Sequence, residues 1–216
     1  SKKTAIYTCI FGPYDSLNEP TSSLSDVDLI CFTDQPLSSE NWKIVPVESD
    51  NKLLTSRKYK FLAHDVLPDY EQSLYIDGNM LINEKVLGFI NNESLQSDFS
   101  MFKHSARDCI YEEVSAILQL GKEKPSLILK QIEDYSQNGM PERSGLFEAG
   151  VIWRKHDVQK VNEFMKTWWD EFQKYPYRDQ LSLAYTKWKC DYEPLEIHSY
   201  WGNAHNSVFH RRLAHN

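Results

Sequence analysis

Short apolar segments that end at turn-forming residues alternate along this chain with segments of helical periodicity, and this alternation limits the possible folds. The first apolar segment, Ala5 to Phe11, is rich in β-branched and aromatic residues and stops at Gly12-Pro13. Asp28 to Thr33 repeats the pattern before Asp34-Gln35-Pro36. Segments of this kind are typical of buried strands that end in turns. The alternation with helices predicts an α/β fold.

The rest of the chain continues the alternation. Further strands are predicted at 42–47, 73–76, 99–102 and 145–153, and helices at 52–64, 111–120, 126–136 and from about 179. A long helix between the last strand and residue 179 carries one apolar stripe, formed by Val158, Val161, Met165, Trp168 and Phe172. No repeat or linker interrupts the 216 residues, so we expect one domain with a mixed, mainly parallel sheet flanked by helices.

Composition excludes several functional classes. Hydrophobic residues make up 41% and charged residues 25% of the chain, which is sufficient for a buried core. The net charge of −7 disfavours binding to nucleic acid or anionic lipid. No apolar run approaches the ~18 residues of a membrane span, and no cleavage site follows the start, so we expect a soluble, unexported, cytoplasmic protein. Four dispersed cysteines, Cys9, Cys31, Cys109 and Cys190, are expected to be reduced.

The tripeptide Asp77-Gly78-Asn79 follows a predicted strand directly. A carboxylate and an amide oxygen two residues apart can face one hard cation such as Mg²⁺ or Mn²⁺, and the glycine lets a ligand approach the backbone. A plain β-turn explains the same residues, because Asp-Gly is a common turn pair. The tripeptide alone does not decide between the two.

Basic residues are concentrated between Lys52 and Lys60, and Arg57, Lys60 and His64 share a face of the predicted helix. Such a face suits a phosphate, although a solvated basic surface gives the same pattern. In sheets of this kind, ligands collect at the carboxyl ends of the strands.

Two acidic residues stand at positions where chemistry is possible. Glu148 is the single carboxylate in the apolar segment Gly145 to Trp153, and a half-buried Glu needs a partner or a function. Asp179 opens a helix, where it could be either the N-cap or a base that deprotonates a hydroxyl.

Histidines and acids also cluster elsewhere in the chain. His104, Arg107, Asp108, Glu112 and Glu113 follow a predicted strand. The C-terminal stretch contains His198, His205, His210 and His215, of which one could complete a metal shell, with His198 preferred.

Six of these motifs, taken in order, resemble a family of GT-A-type nucleotide-sugar glycosyltransferases with members in large algal (chlorella) viruses, bacterial polysaccharide loci and plant Golgi proteins. The similarity spans most of the chain. The motifs are Tyr7 to Gly12, Phe32-Thr33-Asp34, Arg57 to His64, Tyr75 to Asn79, Gly145 to Arg154 and Arg178-Asp179-Gln180.

The resemblance implies a GT-A-like domain with a Rossmann-like nucleotide-sugar half at about 1–80 and an acceptor half at about 81–216. It also implies transfer of a sugar from a UDP-sugar to a glycan hydroxyl with help from Mn²⁺ or Mg²⁺. The resemblance places this reaction in a bacterial or virus-infected cell, and it is compatible with a place as one domain of a larger polypeptide. Asp179, and then Glu148, would act on the acceptor. The donor would contact Thr8, Phe11, Gly12, Tyr14, Asp34, Arg57, Lys60, Asp77 and Gly78, and the metal Asp77, Asn79 and His198.

Two other functions remain open from the sequence. A haloacid-dehalogenase-like phosphatase also has an aspartate motif at a strand end, but the second acid is replaced by Asn79 here. A non-catalytic nucleotide-sugar-binding module is the other alternative.

Overall fold

A computed structural model describes residues 3–121 and 124–214 of the chain. His215, one of the histidines considered for a metal shell, lies outside these residues. Within them, seven strands form the main sheet in the spatial order β3 (Lys43–Pro46), β2 (Asp28–Thr33), β1 (Thr4–Ile10), β4 (Gln72–Ile76), β7 (Phe147–Lys155), β6 (Phe99–Lys103) and β8 (Leu195–Glu196). A separate antiparallel pair consists of β5 (Met80–Ile82) and β9 (His210–Arg212).

Helices cover both faces of the main sheet. They are α1 (Lys52–Phe61), α2 (Ala63–Val66), α3 (Val86–Gln96), α4 (Ile110–Gln119), α5 (Pro125–Gln137), α6 (Gln159–Lys174), α7 (Asp179–Cys190) and a 3-10 turn (Ser199–Trp201). The described sheet is mainly parallel, and only β7 runs antiparallel to its neighbours β4 and β6. The expected α/β fold with a mixed, mainly parallel sheet is therefore confirmed.

The direction of β7 determines where the site lies. Because β7 is antiparallel to β4, its beginning meets the carboxyl end of β4, and the backbone N–H of Asp77 donates to the carbonyl of Gly150 at 3.0 Å. The register between β6 and β7 shifts between Met101 and Phe102, next to this point. A bulge of this kind bends a strand and changes the direction of its side chains.

Apolar packing fixes the helices on the sheet. Val161, Met165, Trp168 and Phe172 of the predicted stripe on α6 are fully buried. Trp168 stacks on Phe61 at the end of α1, with 3.7 Å between the ring centroids. This contact joins α6 to α1 over one face of the sheet.

A buried guanidinium group ties α1 to the middle of the sheet. Arg154 of β7, 1% exposed, donates to the carbonyls of Phe61 at 3.0 Å and Lys60 at 2.9 Å, and to the hydroxyl of Tyr7 at 2.8 Å. The Tyr7 hydroxyl donates in turn to the Lys60 carbonyl at 2.7 Å. The last carbonyls of a helix have no partner within the helix and carry partial negative charge, so a cation suits this position.

The sequence predicted most of the main elements, with boundaries within a few residues. It did not predict α3, β5, β8, β9 or the 3-10 turn. The four cysteines are free thiols, and three of them are buried, as expected. In the described part of the chain, the helices are too short or too polar to span a bilayer.

Replacing Arg154 by methionine is expected to destabilise the protein by about 3 kcal/mol, because the buried Phe61 carbonyl loses its donor and the Lys60 carbonyl loses one of its two, and each such loss costs ~1–3 kcal/mol. Urea unfolding of Arg154→Met measures the effect. Arg143→Met is the matched control, since Arg143 is exposed and pairs only with the exposed carboxylates of Asp108 and Glu112. Equal losses in the two variants would contradict the role given to Arg154.

Two histidines, the partly buried His156 and the buried His210, predict that acid destabilises the fold. Burial lowers the pKa of His156 to about 4, and that of His210 likewise to about 4. Hydrogen bonds to the backbone carbonyls of Tyr70 and Ala204 act in the opposite direction and raise these pKa values, but burial outweighs them. When folding lowers the pKa of a histidine, the unfolded chain binds its proton more readily than the folded protein does. The stability that is fully present at pH values above the unfolded pKa of ~6.5 is therefore lost as the pH falls towards 4. We expect the free energy of unfolding to fall by about 2 kcal/mol per histidine between pH 7 and 5, and by about half the wild-type amount in His210→Gln. Urea unfolding at both pH values measures the change.

Candidate active site

A polar cavity of about 540 Å³ opens at the carboxyl end of β4. It brings together five of the residues selected from the sequence, namely Arg57, Lys60, Asp77, Glu148 and Asp179. Its other lining residues are His104, Glu113, Ala149, Gly150, Tyr177, Arg178, Gln180, His205 and Arg212. Four of the six motifs therefore contribute residues to one crevice, while the roles assigned to them stay predictions.

Asp179 lies between the two cations of α1. Its carboxylate accepts a hydrogen bond from Arg57 Nε through Oδ1 and one from Lys60 Nζ through Oδ2 at 2.6 Å. The resemblance assigns Asp179 to the acceptor, and the sequence does not predict a contact with Arg57 or Lys60. The fold brings the beginning of α7 against α1 and so makes this contact. Arg178, and not Asp179, is the N-cap residue of α7.

The environment of Asp179 makes its carboxylate a weak base. Burial alone would raise the pKa of this carboxyl group, but the charges and hydrogen bonds of Arg57 and Lys60 outweigh burial and lower the pKa to about 2. Both oxygens are engaged by these cations. Asp179 is thus suited to hold Arg57 and Lys60 in place.

Asp77 also lies among cationic groups. Oδ1 accepts from the Tyr75 hydroxyl at 2.9 Å and is 3.5 Å from Lys60 Nζ. Oδ2 accepts a hydrogen bond from Arg212 Nη2 at 3.3 Å. Gly150 permits this approach, since a Cβ there would lie 3.0 Å from Arg212 and 3.1 Å from Asp77 Oδ2.

The other two predicted metal ligands do not join Asp77. The Asn79 side chain donates to the carbonyl of Leu213 at 2.9 Å, and Asn79 is buried. His198 is exposed, and its Nδ1 accepts from the backbone of Tyr200 as the cap of the 3-10 turn. Among residues 3–121 and 124–214, no group of three or more His, Cys, Asp or Glu is arranged to hold a metal ion.

The donor set around Asp77 therefore does not fit a divalent cation in this arrangement. Hard cations need several oxygen ligands, and here one carboxylate faces the positive charges of Lys60 and Arg212. The dependence on Mn²⁺ or Mg²⁺ stays a prediction.

Gly12 and Asp34, two of the predicted donor contacts outside the cavity, lie just after the ends of β1 and β2. The backbone N–H of Gly12 donates to Asp34 Oδ1 at 2.9 Å, and Lys52 Nζ is 3.4 Å from Asp34 Oδ2. Burial opposes ionisation of Asp34, but hydrogen bonds from Gln35 and Gly12 and the charge of Lys52 lower its pKa. Gly12 has φ +82°, a conformation that favours glycine.

Three further residues of this predicted region differ in accessibility. Tyr14 is 69% exposed and Phe11 is partly exposed, so both rings are open to a ligand. Thr8 is buried within β1, and its hydroxyl has no hydrogen-bond partner in the described structure. Thr8 is therefore less accessible than the two aromatic residues.

Glu148 and His104 form a second group of charged side chains in the cavity, here called its acidic end. The Nδ1 atom of His104 accepts backbone N–H groups of Ala106 and Arg107, so the proton of the neutral ring is on Nε2. This Nε2 lies 3.7 Å from Glu148 Oε1 and 3.5 Å from Glu113 Oε2. The cavity thus has a histidine N–H directed between two carboxylates.

Three buried polar atoms in the cavity wall have no hydrogen-bond partner within the described residues. They are Glu148 Oε2, Arg178 Nε and Arg212 Nε. Buried polar groups in native proteins are almost always paired, so such atoms need an explanation. A ligand with anionic acceptors and with hydroxyl donors would satisfy all three.

Sequence reasoning did not select Arg212, and it preferred His198 to His205. Of the C-terminal histidines within the described residues, His205 is the one that lines the cavity, and its Nε2 lies 3.4 Å from Glu148 Oε2. The signal for Arg212 was weak, because its short strand β9 pairs with β5 about 130 residues earlier.

The sheet, with its polar cavity at the ends of the strands, has the architecture of a GT-A-like, glycosyltransferase-like domain. A comparison with protein families matches residues 33–212 to the TOD1/MUCI70, glycosyltransferase-like domain. The chain belongs to this family, which includes plant Golgi proteins, and the resemblance drawn from the motifs is confirmed. A comparison with curated proteins gave no match.

Proposed function

We propose that the protein transfers a sugar from a UDP-sugar to a hydroxyl group of a glycan. The observation that carries this proposal is that the charged side chains of the cavity form two groups of contacts, one around the cations and one around Glu148. Arg57, Lys60 and Arg212 form its cationic end, and Glu148 with His104 forms its acidic end. The family supports glycosyltransferase activity in general, and the geometry supports the assignment of the two ends.

The donor diphosphate is assigned to the cationic end. Asp179 orients Arg57 and Lys60 while leaving further N–H donors of both side chains for phosphate oxygens. The uridine is assigned to the region of Gly12, Asp34 and Tyr14, at the ends of the neighbouring strands. As the sugar is transferred, the bond between its anomeric carbon and the diphosphate breaks, and these cations stabilise the negative charge of the departing UDP.

The acceptor is assigned to Glu148. Its Oε2 accepts no hydrogen bond in the described structure and lies 3.4 Å from His205 Nε2, so it is available to accept the proton of an acceptor hydroxyl, whose oxygen then forms the bond to the anomeric carbon. Asp179, the first choice from the sequence, has both oxygens paired and a pKa lowered to about 2. We therefore assign the base to Glu148 and the positioning of Arg57 and Lys60 to Asp179.

The proposed donor class is tested by thermal denaturation with UDP, UDP-sugars, uridine and inorganic phosphate, each with EDTA or Mn²⁺. A ligand that binds only the folded state raises its stability, by about 2.7 kcal/mol at a hundred times its dissociation constant. UDP and at least one UDP-sugar are expected to raise the melting temperature, with slow release of UDP from that sugar donor. Release of phosphate would favour a phosphatase, binding without turnover would favour a module, and no response to UDP would overturn the proposal. The EDTA and Mn²⁺ arms test the predicted metal dependence.

Glu148→Gln and Asp179→Asn are expected to damage different steps. Glu148→Gln removes the base and should lower the transfer rate at least ~100-fold with UDP affinity unchanged. Asp179→Asn releases Arg57 and Lys60 and should weaken UDP binding. Titration calorimetry and single-turnover transfer separate the effects, with exposed Glu142→Gln as the control. The base would instead be Asp179 if Glu148→Gln transfers the sugar at the normal rate and Asp179→Asn binds UDP normally but has lost transfer.

A further inference from the structure

The Asp77-Gly78-Asn79 motif holds the strand β9, which delivers a cation to the cavity. Asp77 accepts a hydrogen bond from Arg212, the last residue of β9. Asn79 binds the next residue, Leu213, twice. Its side chain donates to the Leu213 carbonyl at 2.9 Å, and its own carbonyl accepts the Leu213 backbone N–H at 2.7 Å.

Two glycines, Gly78 within the motif and Gly150 of the neighbouring strand β7, allow this arrangement. At Gly78, a Cβ would lie 2.9 Å from a side-chain carbon of Ile10, so the turn after β4 packs closely against the end of β1. At Gly150, a Cβ would press on both Asp77 and Arg212. The positions of Asp77 and of the Arg212 guanidinium therefore depend on close approach of the backbone.

The Arg212 guanidinium retains unused donors at the cationic end of the cavity. Its one ion pair in the described structure is the 3.3 Å contact with Asp77, and its buried Nε has no hydrogen-bond partner. The ion pairs of the cationic end join three cations, Arg57, Lys60 and Arg212, to two carboxylates, Asp77 and Asp179. An excess of positive charge with free planar donors suits a phosphate group.

We propose that Arg212 binds the donor diphosphate directly and that Asp77 and Asn79 serve to hold Arg212 in place. This inference rests on the proposed function, and it gives the motif a different task from the metal binding predicted from sequence. Asp77 directs the guanidinium, Asn79 fixes the end of β9, and the positive charge near the departing diphosphate comes from Lys60, Arg57 and Arg212.

The test measures UDP and uridine binding by titration calorimetry in EDTA, in the wild type and in Arg212→Gln. Arg211→Gln is the matched control, because Arg211 is the neighbouring residue of β9, is exposed and does not line the cavity. We expect Arg212→Gln to weaken UDP binding ~10- to 100-fold, with uridine binding and the Arg211→Gln variant unchanged. Arg212→Lys should recover part of the loss.

Each failure has a distinct outcome. Wild-type protein that binds no UDP, with or without Mn²⁺, overturns the proposed function. UDP affinity that is equal in the wild type and Arg212→Gln overturns the role of Arg212. Asp77→Asn distinguishes the two tasks of the motif: loss of UDP affinity in EDTA supports the holding of Arg212, whereas loss confined to the Mn²⁺ arm overturns it in favour of a metal ligand. Thermal melting of each variant confirms that it is folded.

Discussion

The buried guanidinium of Arg154 is the interaction on which the cavity depends. It donates to the carbonyls of Lys60 and Phe61, so β7 at the centre of the sheet holds the end of α1. A buried cation without a carboxylate is costly, and here the partial negative charge of a helix end and the hydroxyl of Tyr7 compensate for it. Because Lys60 is itself one of the residues held, the same contact positions the cationic face of α1 toward the cavity.

Carboxylates in the site have two different functions that depend on their neighbours. Asp77 and Asp179 are paired with cations, so their charges order Lys60, Arg57 and Arg212 and are not free for proton transfer. The Glu148 carboxylate has only histidines as ion-pair partners within the described residues, and its Oε2 accepts no hydrogen bond there. The chemistry therefore depends less on which acids are present than on how far each is from a guanidinium or ammonium group.

The sequence predicted what local patterns determine, and it was less informative where distant segments meet. Apolar periodicity located the strands and helices that carry Lys60, Asp77 and Glu148, and the general rule for such sheets predicted a site at the carboxyl ends of the strands. The partner of Asp179 could not be predicted, because Arg57 is 122 residues away and only the packing of α7 against α1 brings them together. Likewise, the two-residue and three-residue strands are too short to show a periodicity, so Arg212 remained undetected.

The pairing of β9 with β5 affects the order in which the site can be completed during synthesis. Arg212 follows Asp77 by 135 residues, so the sheet, both faces of its core and most of the cavity wall are already available before β9 emerges from the ribosome. Contacts between residues so far apart in sequence form late, because closing a long loop costs entropy before the contact compensates for it. A nascent chain therefore has its structural core well before Arg212 joins Asp77 and the cavity has all of its cations.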